Sequence, residues 1–406
     1  METIAMTATV VAAAPTVKTA APAPPRWWVE LLAGPAEIAP HCAAWDDLAQ
    51  HAVEPNPFYE RWMLLPAWRT FGLIDQVQLA LVYRDGTHPE AAPELCGLFP
   101  LRQRQLGHMP LRVWSLWRNQ YTYLCTPLLR QGAARETLQF FWNWLGHHAG
   151  GPGLWKLPHV NGDGPFQQTL IDVTNDRHAS CHILYRYNRA VLRPASSAEA
   201  YCAAAMTSHN RQELRRQHRR LSERGRLEFR ETSPADDVSS WIEQFLQLEA
   251  AGWKGREQTA IAAGEADADY FRTIVAEGVA RGQAGFLGLF LDGQPIALKV
   301  NFFSGEGSFA FKIAFDESLA KFSPGVQLEL ENINWLHRRP AVKWMDSCAK
   351  ADHFMINRLW RDRRTIQDLV VSTGTIRGDL ALGLLPFAHA VKSVAVRCVT
   401  KPGTRV

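Results

Sequence analysis

Residues Ala284–Phe315 limit the fold more than any other stretch. Two apolar runs, Ala284–Leu291 and Pro295–Phe303, flank Asp292-Gly293, a dipeptide that favours the tight turn of a two-residue hairpin. A third apolar run, Ser308–Phe315, adds another antiparallel strand. A helix-like stretch, Val326–Leu336, and a strand, Val342–Asp346, come next. Strands in succession followed by a helix and a further strand predict an α+β fold.

The rest of the chain repeats this theme. Before the meander, Leu227–Glu231 reads as a strand and Asp237–Ala251 and Asp269–Arg281 as helices; after it comes a last strand, Asp368–Ser372. In the first half, Trp27–Leu32, Gln78–Tyr83, Leu95–Arg104, Leu154–Val160 and His182–Leu192 read as strands. His41–His51, Pro57–Phe71 and Arg135–His148 read as helices. At 406 residues the chain exceeds one compact core. The expected division is a disordered lead-in (1–25), an N-terminal half (26–192), a C-terminal half (193–379) and a terminal helix and tail (380–406).

Charge is local. The net charge is only +4, which argues against a DNA-binding protein. Yet Arg211–Arg226 carries seven arginines, and Arg211, Arg215, Arg219 and Arg216, Arg220, Arg224 repeat every four residues. On a helix, expected over 197–224, this spacing stacks guanidinium groups in two adjacent rows. Arg215, Arg216, Arg219 and Arg220 are the expected contacts of an anionic ligand. Seven cysteines without a C-x-x-C pair indicate reduced thiols and a cytoplasmic protein, with no zinc ribbon. The apolar stretch Leu380–Val399 is broken by Pro386, Lys392 and Arg397. It is too short to span a bilayer but leaves room for peripheral membrane contact.

Three runs carry a family resemblance: DGQPIALKVNF, FAFKIAFDESLAKFSPGVQLELENI and WMDSCAKADHFMINRLW. Together with the RR-x-x-RRL-x-x-x-G pattern (Arg215–Gly225) and LEAAGWKGREQTAI (Leu248–Ile261), the chain resembles the GNAT-like acyltransferases of the CelD and FemAB type, with a BioF2-like acetyltransferase domain. The resemblance covers about Arg189–Ser372, and PFYERWMLLPAWRTFG is similar to the family's N-terminal helix. It implies two GNAT-like halves, each a mostly antiparallel mixed sheet with flanking helices. It also implies acyl-CoA as a co-substrate with no permanently bound cofactor. The donor's pyrophosphate would lie at the helix start Ser323, Pro324, Gly325, Val326, where Pro leaves outward N–H groups and Gly permits close approach.

Other candidates come from single residues. Trp253-Lys254 ends a helix in a glycine-rich corner, where a lysine either completes the helix end or holds an anion. Lys312 interrupts an apolar strand and needs a partner or a ligand, with Asp316 and Asp346 the expected partners. Asp346 is the expected base at a strand end, and Asp352 the second. The tryptophans, ten of them before residue 156, are read first as core, although Trp114, Trp117, Tyr121 and Tyr123 could line a groove beside Arg118. Ser347-x-x-Lys350 lacks the companion motifs of a serine acyl-enzyme, and no metal-ligand spacing or phosphate-loop motif is present. The expected activity is transfer of an acyl group to an amine or hydroxyl of a small metabolite or saccharide. Two alternatives stand beside it. One is a FemAB-like aminoacyl-tRNA-dependent transferase, and the other a non-catalytic GNAT-like scaffold serving polysaccharide biosynthesis.

Overall fold

The computed structural model describes residues 24–86, 90–106, 111–148, 153–233 and 236–385, so the expectations for 1–23 and 386–406 lie outside the described residues. The chain begins with β1 (Trp27–Leu32), α1 (Cys42–Gln50) and α2 (Arg61–Ala67). The expected helix Pro57–Phe71 is a 3-10 turn over Pro57–Tyr59, then α2, then a π turn over Trp68–Gly72. There follow β2 (Gln78–Arg84), β3 (Glu94–Gln105), β4 (Arg112–Leu116), the short β5 (Leu128–Leu129) and α3 (Ala134–His147). β6 (Leu154–Asn161), α4 (Pro165–Asp176) and β7 (Cys181–Leu192) complete the first half.

Two connecting helices lead into the second half, α5 (Ala198–Ala205) and α6 (Ser208–Ser222). The single basic helix expected over 197–224 is therefore broken. Ser197 caps α5 by accepting from the Ala200 N–H, and Thr207 caps α6 by accepting from the Asn210 N–H. The Thr207 hydroxyl offers the backbone a local acceptor that a continuous helix would not use. Arg211 reaches back to donate to the Ala203 and Met206 carbonyls, closing the end of α5.

The second half runs β8 (Leu227–Glu231), α7 (Val238–Ala251), the one-turn α8 (Trp253–Arg256), α9 (Glu265–Ala280), β9 (Ala284–Leu291), β10 (Gln294–Ser304) and β11 (Gly307–Phe315). It continues with α10 (Pro324–His337), β12 (Trp344–Asp346), α11 (Phe354–Leu359), β13 (Asp362–Ser372) and a last helix, α12 (376–385). The expected hairpin turn is present, with Asp292 at φ 50° and Gly293 at φ 80°, as a tight primed turn requires.

The strands form an α+β architecture of one sheet, ordered β1-β2-β3-β4-β6-β13-β7-β12-β11-β10-β9-β8, with β5 beside β3. The expected α+β fold of two halves, each mostly antiparallel with flanking helices, is present, and the strands of the two halves run together as one sheet. Along this path the β4–β6 and β11–β12 pairs are parallel and the others antiparallel. The order reads the same from either end: four antiparallel strands, a parallel neighbour, then a central strand. The centre is exchanged between halves, because β13, last in sequence, lies between β6 and β7. The main core also spans both halves. Trp62 of α2 meets Phe302 of β10 edge-on at 5.3 Å, and Phe58 meets Phe309 of β11 at 5.7 Å. The early tryptophans serve that core: Trp45, Trp68, Trp117, Trp142 and Trp155 are fully buried.

Candidate active site

Strands β11 and β12 pair only at Gly307–Phe309 and Trp344–Asp346. Beyond that point β11 runs on for six residues while β12 gives way to a turn, so the sheet opens into a wedge. At the opening, β11 carries a bulge. Val300 pairs with Lys312 and Asn301 with Ala310, so Phe311 is the extra residue. A bulge turns two successive side chains to one face, and the contacts follow. The Phe311 ring lies 4.5 Å from Phe302 and 5.8 Å from Tyr123, and the Lys312 ammonium lies 5.4 Å from the Tyr121 ring centroid.

Lys312 is half-buried, and burial pulls its pKa down, opposed by the charges of Glu249 and Asp267. The expected partners are not these. Asp316 caps the following 3-10 turn, accepting from the Ser318 N–H at 2.8 Å. Asp346 is fully buried and enclosed by two guanidinium groups: Arg189 reaches Oδ1 and Oδ2 at 2.8 Å, and Arg364 reaches Oδ2 at 2.9 Å. Its Oδ1 also accepts from the Cys348 N–H. Burial alone would raise the Asp346 carboxyl, but the two arginines outweigh it and hold the pKa low. The convergence of Lys312, Asp316 and Asp346 is thus corrected, and Asp346 has no free lone pair aimed at a substrate. Asp352 is exposed on the turn before α11.

The helix start after β11 has the expected form. Ser323 sits in the left-handed region (φ 52°, ψ 52°), Pro324 occupies the first turn, and Gly325 is buried with Phe315 beside it. The Gly325 and Val326 N–H groups are among those a helix start leaves without an intrahelical acceptor. A pocket of about 230 Å³ adjoins this start, between α6 and α11, with His209, Glu213, Ser323, Val326 and Arg358 in its lining. On the other flank of α6 lies a pocket of about 500 Å³ that includes Arg211, Arg215 and His218. Gln327 of α10 donates to the Leu214 carbonyl at 2.9 Å and ties α6 to α10.

Lys254 is engaged structurally. Its ammonium meets Glu249 at 2.6 Å, while Glu249 also accepts from the Ile261 N–H at 2.8 Å. Trp253 is 49% exposed, and its N–H donates to Glu317 at 2.6 Å. Among the arginines of α6, Arg216 pairs with Glu213 at 2.7 Å, Arg219 lies 3.9 Å from Glu223, and Arg215 and Arg220 are exposed.

Two buried ionic clusters went unread in the sequence. One is Arg189–Asp346–Arg364. The other is Lys299 of β10 with Glu329 of α10, both almost fully buried. The signal for Lys299 was present, since it interrupts an apolar strand in the same way as Lys312. Arg189 and Arg364 gave no such signal, because each sits in a run already rich in polar residues.

Residues 208–354 match the acetyltransferase (GNAT) domain family. No curated protein matches the chain in sequence. Among solved structures, FemX aligns with a TM-score of 0.52 at 10% identity, over 81% of this chain and 95% of that one. The C-terminal domain of a putative lysylphosphatidylglycerol synthetase from Agrobacterium fabrum aligns at 0.48 and 13% identity, over 86% and 95%. A tandem GNAT protein from the clavulanic acid biosynthesis pathway aligns at 0.41 and 14%, over 86% and 99%. The matched segment holds the bulged strand, the wedge and the helix start just described, so residues 208–354 form a GNAT-type acetyltransferase domain and the protein is an acyltransferase.

Proposed function

We propose that the chain transfers an acyl group from acyl-CoA to an amine or hydroxyl of a small metabolite or saccharide, held in the cleft between the two halves. The bulge at Phe311-Lys312 is the observation that carries this reading. It supports a donor laid along the wedge, with its pyrophosphate at Gly325 and Val326 and its thioester carbonyl beside Lys312. A half-buried ammonium whose nearest carboxylate charges are Glu249 and Asp267 is suited to stabilise the oxyanion that forms when the acceptor attacks. As the tetrahedral centre collapses, the thiolate leaves and the acceptor's proton passes to solvent or to a base in the cleft. Holding donor and acceptor together supplies much of the rate.

The test is calorimetry with acetyl-CoA, followed by release of free thiol in the presence of a panel of amino sugars and small amines. Lys312→Met is expected to bind acetyl-CoA within about threefold of the parent yet lose about 100-fold or more in kcat. Equal kcat in the two proteins would remove Lys312 from the reaction.

A second reading rests on the exposed arginines of α6. Arg215 lines the pocket of about 500 Å³ on one flank of α6, Arg219 and Arg220 are exposed on the same helix, and together they would suit the phosphates of an aminoacyl-tRNA donor. Tight tRNA binding that weakens steeply with salt, without acetyl-CoA binding, would favour this reading over the first.

A further inference from the structure

One face of the sheet carries chemistry that acyl transfer at the wedge leaves unused. Paired residues of neighbouring strands share a face. The register Arg102–Ser115, Ser115–Lys156 and Lys156–Val370 therefore runs one face across β3, β4, β6 and β13. Arg104, Asp368, Tyr185 and Tyr187 lie on it too, since residues two positions apart point the same way and Tyr185 pairs with Asp368.

Asp368 is the fixed point of this face. His159, at φ 46° in the bulge of β6 opposite Asp368, donates its N–H to Oδ1 at 2.8 Å and sets Nδ1 3.1 Å from the same oxygen. The Lys156 ammonium lies 3.3 Å from Oδ2. Burial would raise the Asp368 carboxyl, but these contacts hold its pKa at about 2. The Tyr187 ring is 6.2 Å from His159 and 5.5 Å from Tyr185, and neither tyrosine hydroxyl has a hydrogen-bond partner among the described residues.

Positive charge here exceeds what the chain neutralises. Arg118 gives only its Nε, to the Thr122 carbonyl at 3.1 Å, and its two terminal nitrogens meet no acceptor among the described residues. Its charge acts on Arg104, Tyr123, Cys125 and Tyr187, so the guanidinium stands among them. Arg104 likewise has no ion pair among the described residues, whereas Arg102 is matched by Asp75. Arg104, Arg118 and Lys156 against Asp368 leave a net charge of +2. That complements a phosphate monoester, which carries about −1.5 to −2 near neutral pH, while a carboxylate would balance only half of it. Tyr123 in turn lies 5.8 Å from Phe311, so this face runs up to the acyl-transfer wedge.

We propose that Arg118, Arg104 and Lys156 hold a phosphate group of the acyl acceptor, whose sugar ring lies against Tyr185 and Tyr187. Resting on the acyl-transfer reading above, this makes the acceptor a phosphorylated saccharide and not a neutral one.

The experiment is calorimetry of the full chain with glucosamine 6-phosphate and with glucosamine, both without coenzyme A. Expected is binding at least about tenfold tighter for the phosphate ester, weakened by 0.5 M KCl. Arg118→Met should remove about tenfold of that affinity and leave acetyl-CoA affinity unchanged. Arg104→Gln, at an exposed position, should remove about threefold and keeps the test readable should Arg118→Met fail to fold. Equal affinity for the two sugars overturns the proposal, as does a phosphate preference that survives intact in both variants. Displacement of glucosamine 6-phosphate by coenzyme A would move the phosphate to the helix start at Gly325 and overturn it too. Failure of the acyl-transfer reading looks different: acetyl-CoA would not bind, while the phosphate preference and its loss in Arg118→Met would still be seen.

Discussion

At the scale of single residues, the sequence identified charges that break apolar runs but not what meets them. Lys312 was singled out because strand neighbours Ile313 and Phe311 are apolar; its orientation required the bulge, which pairing with Asn301 and Val300 alone reveals. Because burial lowers its pKa, the folded protein binds fewer protons here than the unfolded chain in the window between the lowered folded pKa and the ordinary lysine value. The folded state therefore carries a penalty that grows as pH falls through that window and is fully present below it, so stability at this site rises with pH only as the window is crossed. Lys312→Met is accordingly expected to raise stability by about 1–2 kcal/mol at pH 7 while removing turnover, read by urea unfolding. A lower stability in that variant would mean that Lys312 is held by contacts stronger than the Tyr121 ring. Asp346 behaves in the opposite way. Asp346→Asn leaves Arg189 and Arg364 without their shared counter-charge and should cost about 3–5 kcal/mol. An unchanged midpoint in urea would show the two arginines to be neutralised elsewhere.

Among the elements, strands and the meander were legible because their signals are local. Asp292-Gly293 fixes its turn whatever surrounds it, and Trp27–Leu32 and Ala284–Leu291 were bounded to the residue. The break between α5 and α6 escapes a sequence reading because helix-forming residues lie on both sides of Met206, and the arginine spacing, which begins only at Arg211, gives no sign of the Thr207 cap. The break sets the role of each arginine. Arg211 closes α5, while Arg215, Arg219 and Arg220 remain outward. Replacing Arg215, Arg216, Arg219 and Arg220 by glutamine removes one exposed pair with Glu213 and one looser contact with Glu223, each worth under about 1 kcal/mol. The melting temperature should move by only a few degrees, while affinity for acetyl-CoA or tRNA and its salt dependence fall. A large loss of stability with unchanged binding would make the stripe structural.

Over the whole molecule, the exchange of central strands was beyond the reach of sequence. Which strand lies beside β7 depends on register with residues more than 150 positions away, and no local pattern records it. Since β12 pairs with β7 and β7 with β13, neither half owns a closed sheet. The isolated segment 193–379 would lose β6 and β7 and expose the edges of β12 and β13. That segment is expected to be unfolded or aggregated by circular dichroism and gel filtration, whereas the full chain unfolds in one transition. A soluble, cooperatively folded segment would show the halves to be independent. The shared sheet also ties Asp346 at the wedge to Arg189 and Arg364 on the two exchanged strands, so the geometry of the site depends on both halves. A crystal structure of the full chain with acetyl-CoA tests the central claim most directly. The predicted result is the pyrophosphate on the Gly325 and Val326 N–H groups, with the thioester carbonyl within about 4 Å of the Lys312 ammonium. A donor bound away from the β11–β12 wedge, or a carbonyl turned from Lys312, would contradict it.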